Sequence, residues 1–111
     1  MLLTIRATFS IETEKGFAVS SKVIELLKEV EKTGSLNAAV NNIGMSYSYA
    51  WNILNKANCK LETPLLISRK GGNGGGLAKL TKAGQTLLDY CKKLESDFDE
   101  FIGTHEMKLG K

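Results

Sequence analysis

The stretch that decides the fold is GSLNAAVNNIGMSYSYAWNILNKANCKL, residues 34–61. It predicts two helices. Ser35 precedes the first helix and Ser46 precedes the second, and each serine can cap the helix that follows it. Apolar residues recur at helical spacing in both, and only Gly44 and Met45 separate the two helices. Because so short a link makes two helices cross at a steep angle, the stretch predicts a helix-turn-helix.

The residues before this stretch predict a strand and a further helix. Residues 3–11 alternate between apolar and polar side chains, which is typical of a half-buried strand, and residues 14–16 end the pattern. Ser20 or Ser21 is predicted to cap the helix that follows, and Gly34 to end it. The apolar side of this helix consists of Val23, Leu26, Leu27 and Val30.

The residues after the stretch predict a hairpin and a long helix. Two short strands, residues 65–69 and 77–81, surround a glycine-rich loop at residues 71–76. The loop joins two strands, and no Lys-Ser/Thr pair opens a helix behind it, so it is neither a P-loop nor a dinucleotide fingerprint. Thr81 is predicted to cap the last helix, residues 82–103.

These elements predict a mainly α chain with little β structure (α+β). The expected architecture is a winged helix-turn-helix with an N-terminal strand and a long C-terminal dimerisation helix, and residues 1–111 are expected to form one domain. Apolar residues of the last helix recur at the heptad spacing of helices that pair with one another. The predicted dimer interface is Leu87, Cys91, Leu94, Phe98 and Phe101. Packing of this helix on the protein's own core, through Leu88 and Ile102 beside that seam, is the alternative.

The third helix of a winged helix enters the major groove with its N-terminal end leading. Asparagine can pair with adenine, hydroxyls reach phosphates or base edges, and lysine neutralises phosphate. The predicted DNA-binding residues on this helix are Ser46, Tyr47, Ser48, Tyr49, Asn52, Asn55 and Lys56. Trp51 lies beside the apolar side of the third helix, so we favour packing at the edge of the core over DNA contact for its side chain. Tyr47 lies on the same side one turn earlier, and the same two roles are open for it.

The hairpin would be the wing, and the charge distribution supports that interpretation. The chain carries a net charge of +3, but residues 46–82 hold six cations and only one anion, Glu62. Glycines let the wing backbone approach the sugar-phosphate chain closely. The predicted DNA-binding residues of the wing are Arg69, Lys70, Asn73 and Lys79. A purely flexible turn is the alternative for the loop.

Catalytic and metal-binding chemistry finds little support in the sequence. Cys59 and Cys91 belong to no CxxC pair, and His105 has no cysteine near it, so we expect no metal site, no cofactor and no enzyme. Both cysteines are predicted to be small core residues rather than redox switches. No apolar run approaches the roughly 18 residues of a membrane span, and no export signal is visible, so a cytoplasmic protein is expected.

Several short strings, in the same order along nearly the whole chain, carry a family resemblance. They are Leu2-Leu3-Thr4, Thr33-Gly34-Ser35, Gly44-Met45-Ser46-Tyr47, Ala50-Trp51, and the glycine-rich wing followed by Leu80-Thr81 and Gly84-Gln85. In these strings the sequence resembles the DNA-binding domain of the molybdate-responsive regulators, the ModE family. It is more distantly similar to the helix-turn-helix domain of LysR-type regulators.

The resemblance implies a homodimer, held by the N-terminal strand and the long last helix, that binds duplex DNA at two similar half-sites. Two recognition helices would then lie about one DNA turn, near 34 Å, apart. Full-length ModE proteins also carry C-terminal oxyanion-binding domains, which this sequence is expected to lack, so a small-molecule effector is left open. The predicted function is a dimeric, sequence-specific transcriptional regulator linked to molybdate or other metal-oxyanion metabolism.

Two alternatives to this function stay open. A winged helix can serve as a protein-interaction module without DNA binding, with the last helix as its working surface. A thiol-based sensor that uses Cys59 or Cys91 is the second alternative.

Overall fold

The computed structural model describes residues 3–69 and 76–103. These residues form four helices and four short strands, in the order of an α+β winged helix, as the sequence predicts. The elements are β1 (Ile11–Thr13), β2 (Gly16–Val19), α1 (Ser21–Thr33), α2 (Leu36–Ile43), α3 (Tyr47–Leu61), β3 (Leu66–Arg69), β4 (Leu77–Leu80) and α4 (Lys82–Gly103).

A serine or threonine hydroxyl caps each helix by accepting a hydrogen bond from a backbone N–H of the first turn. The four caps are Ser20, Ser35, Ser46 and Thr81, with O···N distances of 3.3, 3.1, 3.1 and 3.0 Å. Ser20, rather than Ser21, is therefore the N-cap of α1. These caps confirm the helix starts expected from the sequence. The starts could be predicted because each cap joins two residues only three positions apart.

The turn between α2 and α3 is as short as the sequence predicts. Gly44 ends α2 with a left-handed φ of 69°, a conformation that side chains with a Cβ rarely adopt. The next N–H, that of Met45, donates to the carbonyl of Val40 at 2.9 Å. The chain thus reverses within two residues, and Ser46 at once caps α3.

The wing is the antiparallel hairpin β3–β4, in which Leu66 lies opposite Leu80. One backbone hydrogen bond attaches it to the end of α1, and a second closes the hairpin where it meets α4. The N–H of Ala78 donates to the carbonyl of Gly34 at 2.9 Å, and that of Thr81 donates to Leu65 at 3.1 Å. The base of the wing is therefore held against the end of α1 and the start of α4.

The strand predicted for residues 3–11 is wrong over residues 3–10, which form no strand. Strand β1 begins only at Ile11 and pairs with β2, which the pattern analysis did not predict. The physical reason is the lack of a partner. Strand β2 ends at Val19 and α1 follows at once, so no described strand of this chain is placed to pair with residues 3–10.

The core lies between the four helices and the wing. Its fully buried large side chains come from β2, from three of the helices and from the residue before β3. They are Val19, Val23, Leu26, Leu27, Val30, Leu54, Leu65, Leu88 and Cys91. All four residues predicted as the apolar side of α1 are among them, so that prediction is confirmed.

Helix α4 extends past the core after its first three turns. Its buried residues are Gly84, Leu88 and Cys91, whereas Leu94 and Phe98 are 41% and 42% exposed. An ion pair of 2.6 Å between Lys28 and Glu95 joins α4 to α1. Among the described residues, no helix is both long and apolar enough to span a membrane.

A close approach at Gly84 sets how α4 packs. A Cβ atom at this position would lie 2.1 Å from the backbone oxygen of Leu65, and a backbone atom cannot swing aside as a flexible side chain can. Glycine is therefore required for α4 to pack against the residue that precedes the wing.

We expect Gly84→Ala to lower the free energy of unfolding by about 1–3 kcal/mol, the usual cost of forcing extra volume into a packed site. Chemical denaturation followed by circular dichroism measures the change. Gly103→Ala in the same helix is the matched control, because a Cβ there meets nothing within 4 Å. Equal stability of the two variants would contradict the close packing of α4.

Candidate nucleic-acid interface

Helix α3 turns one side to the core and the other to solvent. Ala50, Leu54 and Ala57 are completely buried, and their spacing places them on a single side of the helix. The opposite side must then face outward. Every residue predicted to bind DNA on this helix is exposed, namely Ser46, Tyr47, Ser48, Tyr49, Asn52, Asn55 and Lys56.

The asparagines of α3 differ in what they do. The side-chain oxygen of Asn58 accepts a hydrogen bond of 3.0 Å from the N–H of Leu65 and so holds the chain after α3. By contrast, Asn52 and Asn55 make no side-chain hydrogen bond within the part of the chain that the structure describes. Their amides are therefore available to donate to, and accept from, an external ligand.

Trp51 lies at the edge of the core, as favoured from the sequence. It is partly buried and packs against the core residues. The ring of Tyr47, one turn earlier, meets it edge to face with 6.3 Å between centroids. Tyr47 is itself 47% exposed, so its ring supports Trp51 while much of its surface remains in solvent.

The two wing cations that the structure describes, Arg69 and Lys79, lie on one face of the hairpin. In the antiparallel register Arg69 lies opposite Leu77 and Ile67 lies opposite Lys79, so these four exposed residues share the outer face of the hairpin. The inner face carries Leu66, Ala78 and Leu80, which are buried. Lys70 and Asn73, also predicted to bind DNA, lie outside the described residues.

The wing and the start of α3 form one continuous surface. Tyr47 on α3 lines a groove of about 280 Å³ together with Ser68, Arg69 and Leu77 of the wing region. Asn37, at the start of α2, lines the same groove. The structure thus brings the starts of α2 and α3 and the hairpin together at one groove.

A second groove, of about 540 Å³, lies on the other side of α3. Its apolar floor includes Phe17, Val23 and Ile53, and its rim includes Asn52 and Lys56. Phe17 was missed by the pattern analysis because it lies on β2, a strand that was not predicted. The available signal was an aromatic side chain directly after a glycine turn.

The candidate site is cationic because no carboxylate among the described residues pairs with its positive charges. Across the described ranges, no carboxylate lies within 4 Å of the charged nitrogens of Lys56, Lys60, Arg69 or Lys79. The nearby anion Glu62 pairs instead with Lys15 on the β1–β2 turn. The cationic side chains therefore remain available to an anionic partner.

The two cysteines differ, and the prediction that both belong to the core is wrong for Cys59. Cys91 is buried in the core, and burial is the main cause that raises the pKa of its thiol, with Glu95 adding to the effect. Cys59 is exposed on the outer side of α3 because it is nine residues beyond Ala50, which places it half a turn from the buried stripe.

Among the described residues, no group of three His, Cys, Asp or Glu side chains lies close enough together to hold a metal ion. His105 lies outside the described ranges.

We expect iodoacetamide at pH 8 to modify Cys59 in the native chain and to leave Cys91 unmodified, because the thiolate is the reactive form and Cys91 is both buried and held protonated. Mass spectrometry after proteolysis measures the labelling. Both thiols should react once the protein is unfolded in denaturant, which is the internal control. Rapid native labelling of Cys91 would contradict its place in the core.

The predicted dimer residues on α4 separate into two groups. Cys91 is completely buried in the core of its own chain and is therefore not available to a second copy, contrary to its place in the predicted interface. Leu87 is partly buried against the core. Leu94, Phe98 and Phe101 are 41%, 42% and 59% exposed. The heptad pattern thus mixes residues that pack inward with residues that face solvent.

The fold and this surface define a winged-helix protein whose third helix and wing present polar and cationic groups together. The chain is ModE-like, a homologue of ModE and Mop proteins. It is 33% identical, over 95% of its length, to the molybdenum transport protein ModE of Azotobacter vinelandii. It is 40% identical, over 71% of its length, to the DNA-binding transcriptional dual regulator ModE of Escherichia coli.

A third relative is the molybdenum-pterin-binding protein MopB of Rhodobacter capsulatus, which is 31% identical over 85% of the chain. The chain spans 39%, 30% and 35% of the lengths of these three relatives, respectively. No family model matches the sequence. The similarity therefore concerns the part of these proteins that corresponds to the winged helix.

Proposed function

We propose that this protein is a transcriptional regulator that binds specific duplex DNA sites as a homodimer. The observation that carries the proposal is the exposed side of α3, where Asn52 and Asn55 lack partners within the described chain, together with a cationic wing that shares a groove with Tyr47 at the start of the same helix. Relatives named as transcriptional regulators support the same role. Their names further support a link to molybdenum metabolism and a regulator rather than an enzyme.

In the proposed mechanism α3 enters the major groove. Asn52 and Asn55 point away from the core and can each pair with an adenine edge through amide donor and acceptor together. Hydroxyls of Ser48 and Tyr49 at the leading end reach phosphates or base edges, and Lys56 neutralises phosphate. The positive end of the α3 dipole, at the capped N-terminus, favours a phosphate in the same place.

The wing follows the sugar-phosphate backbone beside the groove. Arg69 and Lys79 share its outer face and contribute charge without reading bases. Lys70 and Asn73, which follow Arg69 in the sequence, are proposed to extend this contact. Because these contacts displace counterions, the affinity is expected to fall steeply as the salt concentration rises.

The homodimer is proposed to form through the exposed apolar residues of α4. Leu94, Phe98 and Phe101 lie beyond the body of the fold, where a second copy can cover them. A two-fold dimer presents two α3 helices to two similar half-sites about one DNA turn apart, roughly 34 Å. No effector is part of this proposed function.

A protein-interaction module without DNA binding is the second candidate. The observation that favours it is the same apolar end of α4, which suits a protein partner as well as a second copy. The α3 variants described next distinguish the two functions, because they alter DNA contacts and leave α4 unchanged.

We expect Asn52→Ala to weaken binding to a DNA fragment selected from random duplexes by about 5- to 150-fold, corresponding to about 1–3 kcal/mol for one base-pairing amide. Fluorescence anisotropy at fixed salt measures the dissociation constant. Asn42→Ala is the matched control, because Asn42 lies on α2 and donates to Glu29 of α1 at 2.9 Å. Failure of the selection to enrich any sequence would argue for the interaction module instead.

We expect Arg69→Gln and Lys79→Gln each to reduce the slope of log affinity against log salt concentration by about 1. Each substitution should weaken binding to all DNA sequences by a similar factor. Anisotropy titrations at two or more salt concentrations measure this slope. Arg6→Gln is the control, since Arg6 lines a groove formed with α1 and α4 residues. An unchanged slope in both wing variants would remove the wing from the proposed interface.

A further inference from the structure

The groove of about 540 Å³ between β2 and α3 has a floor that the proposed DNA contacts do not explain. The apolar side chains of Phe17, Val23 and Ile53 form this floor, and Phe17 is 53% exposed. A DNA backbone offers no apolar group of the size needed to cover it. Sites for small molecules are mostly apolar, contain a few polar groups that orient the ligand, and occupy about 300–1,000 Å³. The groove has the size and the lining of such a site.

Two lysines stand on the α3 side of this groove. Lys56 and Lys60 are both exposed and lie one helical turn apart. At about 100° per residue, Ile53, Lys56 and Lys60 fall within a sector of roughly 60°, so the lysines rise from the side of α3 that contributes to the apolar floor. Within the described chain neither lysine forms an ion pair. An anionic group at this rim would therefore meet two unpaired cations.

The charge of the rim favours a small anionic ligand over a second copy of the chain. A two-fold pairing of this surface with itself would bring the same two lysines of both copies together. A molecule that is apolar over most of its length and anionic at one end instead complements both parts of the groove. An aromatic ring suits the floor in particular, because the ring of Phe17 can pack against it edge to face or offset.

We propose that the groove binds a small aromatic carboxylate and that the bound carboxylate competes with DNA. The ring covers Phe17 and Ile53 on the floor. The carboxylate accepts charge-assisted hydrogen bonds from Lys56 and Lys60 at the rim. The groove would thus give the chain a direct response to a metabolite of this chemistry.

Competition follows from residues that the groove shares with the proposed DNA surface. Asn52, Asn55 and Lys56 line the groove and also belong to the proposed major-groove contacts. A carboxylate at Lys56 occupies the charge that a phosphate needs, and a ring beside Asn52 stands between α3 and the DNA. The competition rests on the proposed function, whereas binding of the carboxylate does not depend on it.

Titration of the isotope-labelled full chain with hydrocinnamate, followed by NMR, tests the site. Saturable shifts should appear at the backbone N–H groups of Ala18, Ile53 and Cys59, with a dissociation constant of about 1 mM or lower. Hydrocinnamyl alcohol has the same ring and no charge, so it should bind at least about fivefold more weakly. Absence of saturable shifts at these residues, or equal affinity for the two compounds, would overturn the proposal.

The variant Lys60→Gln separates the charge of the rim from the apolar floor. It should weaken hydrocinnamate binding by at least about fivefold and leave binding of hydrocinnamyl alcohol unchanged. Lys22→Gln is the matched control, because Lys22 is an exposed cation that lines a different groove with Tyr49. Equal losses in the two variants would indicate general attraction to a cationic chain and would contradict a site at the rim.

The variant Phe17→Ala tests the floor. Because Phe17 is half exposed, its truncation should preserve the fold and weaken both compounds alike, by at least about fivefold. Ile67→Ala on the wing is the control, since Ile67 is 56% exposed and does not line this groove. Unchanged affinity in Phe17→Ala would remove the floor from the site.

The thiol of Cys59 supplies a second measurement of occupancy, because it is exposed and lines the groove. Hydrocinnamate at about five times its dissociation constant should slow the modification of Cys59 by iodoacetamide about sixfold, since only the empty fraction reacts. Acetate at the same concentration has the charge without the ring and should leave the rate unchanged. An unchanged rate with hydrocinnamate would place the bound molecule elsewhere.

Fluorescence anisotropy at fixed salt measures the competition. At the same excess of hydrocinnamate, the apparent dissociation constant for the selected DNA should rise about sixfold in the native chain and only about twofold in Lys60→Gln. An unchanged constant, although NMR shows the ligand bound, would overturn the competition and keep the site. A chain that binds no DNA would overturn the proposed function, and the NMR and alkylation results would still decide whether the groove binds the carboxylate.

Discussion

Ala50 and Ala57 have no exposed surface, and with Leu54 they hold α3 against the core through two of the smallest side chains available. Small residues at a contact let a helix pack closely, because the distance between packed elements depends on the side chains between them. Close packing on one side leaves the polar residues on the other exposed in the part of the chain that the structure describes. The candidate site on α3 therefore depends on the burial of the opposite side of the helix.

The proposed function follows from this division of α3 together with the wing. A backbone hydrogen bond from Ala78 to Gly34 ties the wing to the end of α1, and the hairpin shares a groove with Tyr47 at the start of α3. A protein that presents amides from a helix and cations from a neighbouring hairpin matches the two kinds of contact that duplex DNA offers, base edges and phosphates.

Helix α4 shows how one sequence pattern can serve two surfaces. Its heptad spacing combined Cys91, which packs on the protein's own core, with Leu94 and Phe98, which face solvent. A periodicity of 3.5 residues and a helix of 3.6 residues per turn differ too little over two heptads for the sequence to separate these roles. The structure separates them because Gly84 brings the first turns of α4 against Leu65, and the later turns extend past the core.

Local chemistry in the sequence determined the four helix starts, the two glycine stops and the exposed side of α3. Each of these depends on contacts between residues three or four apart, as in the cap at Ser46. Only the tertiary structure decided that residues 3–10 pair with no strand of the described chain, that Cys59 is exposed, and that α4 extends past the core after Cys91. Those properties depend on which distant residues come to lie nearby, and such proximity is set by packing of the whole chain.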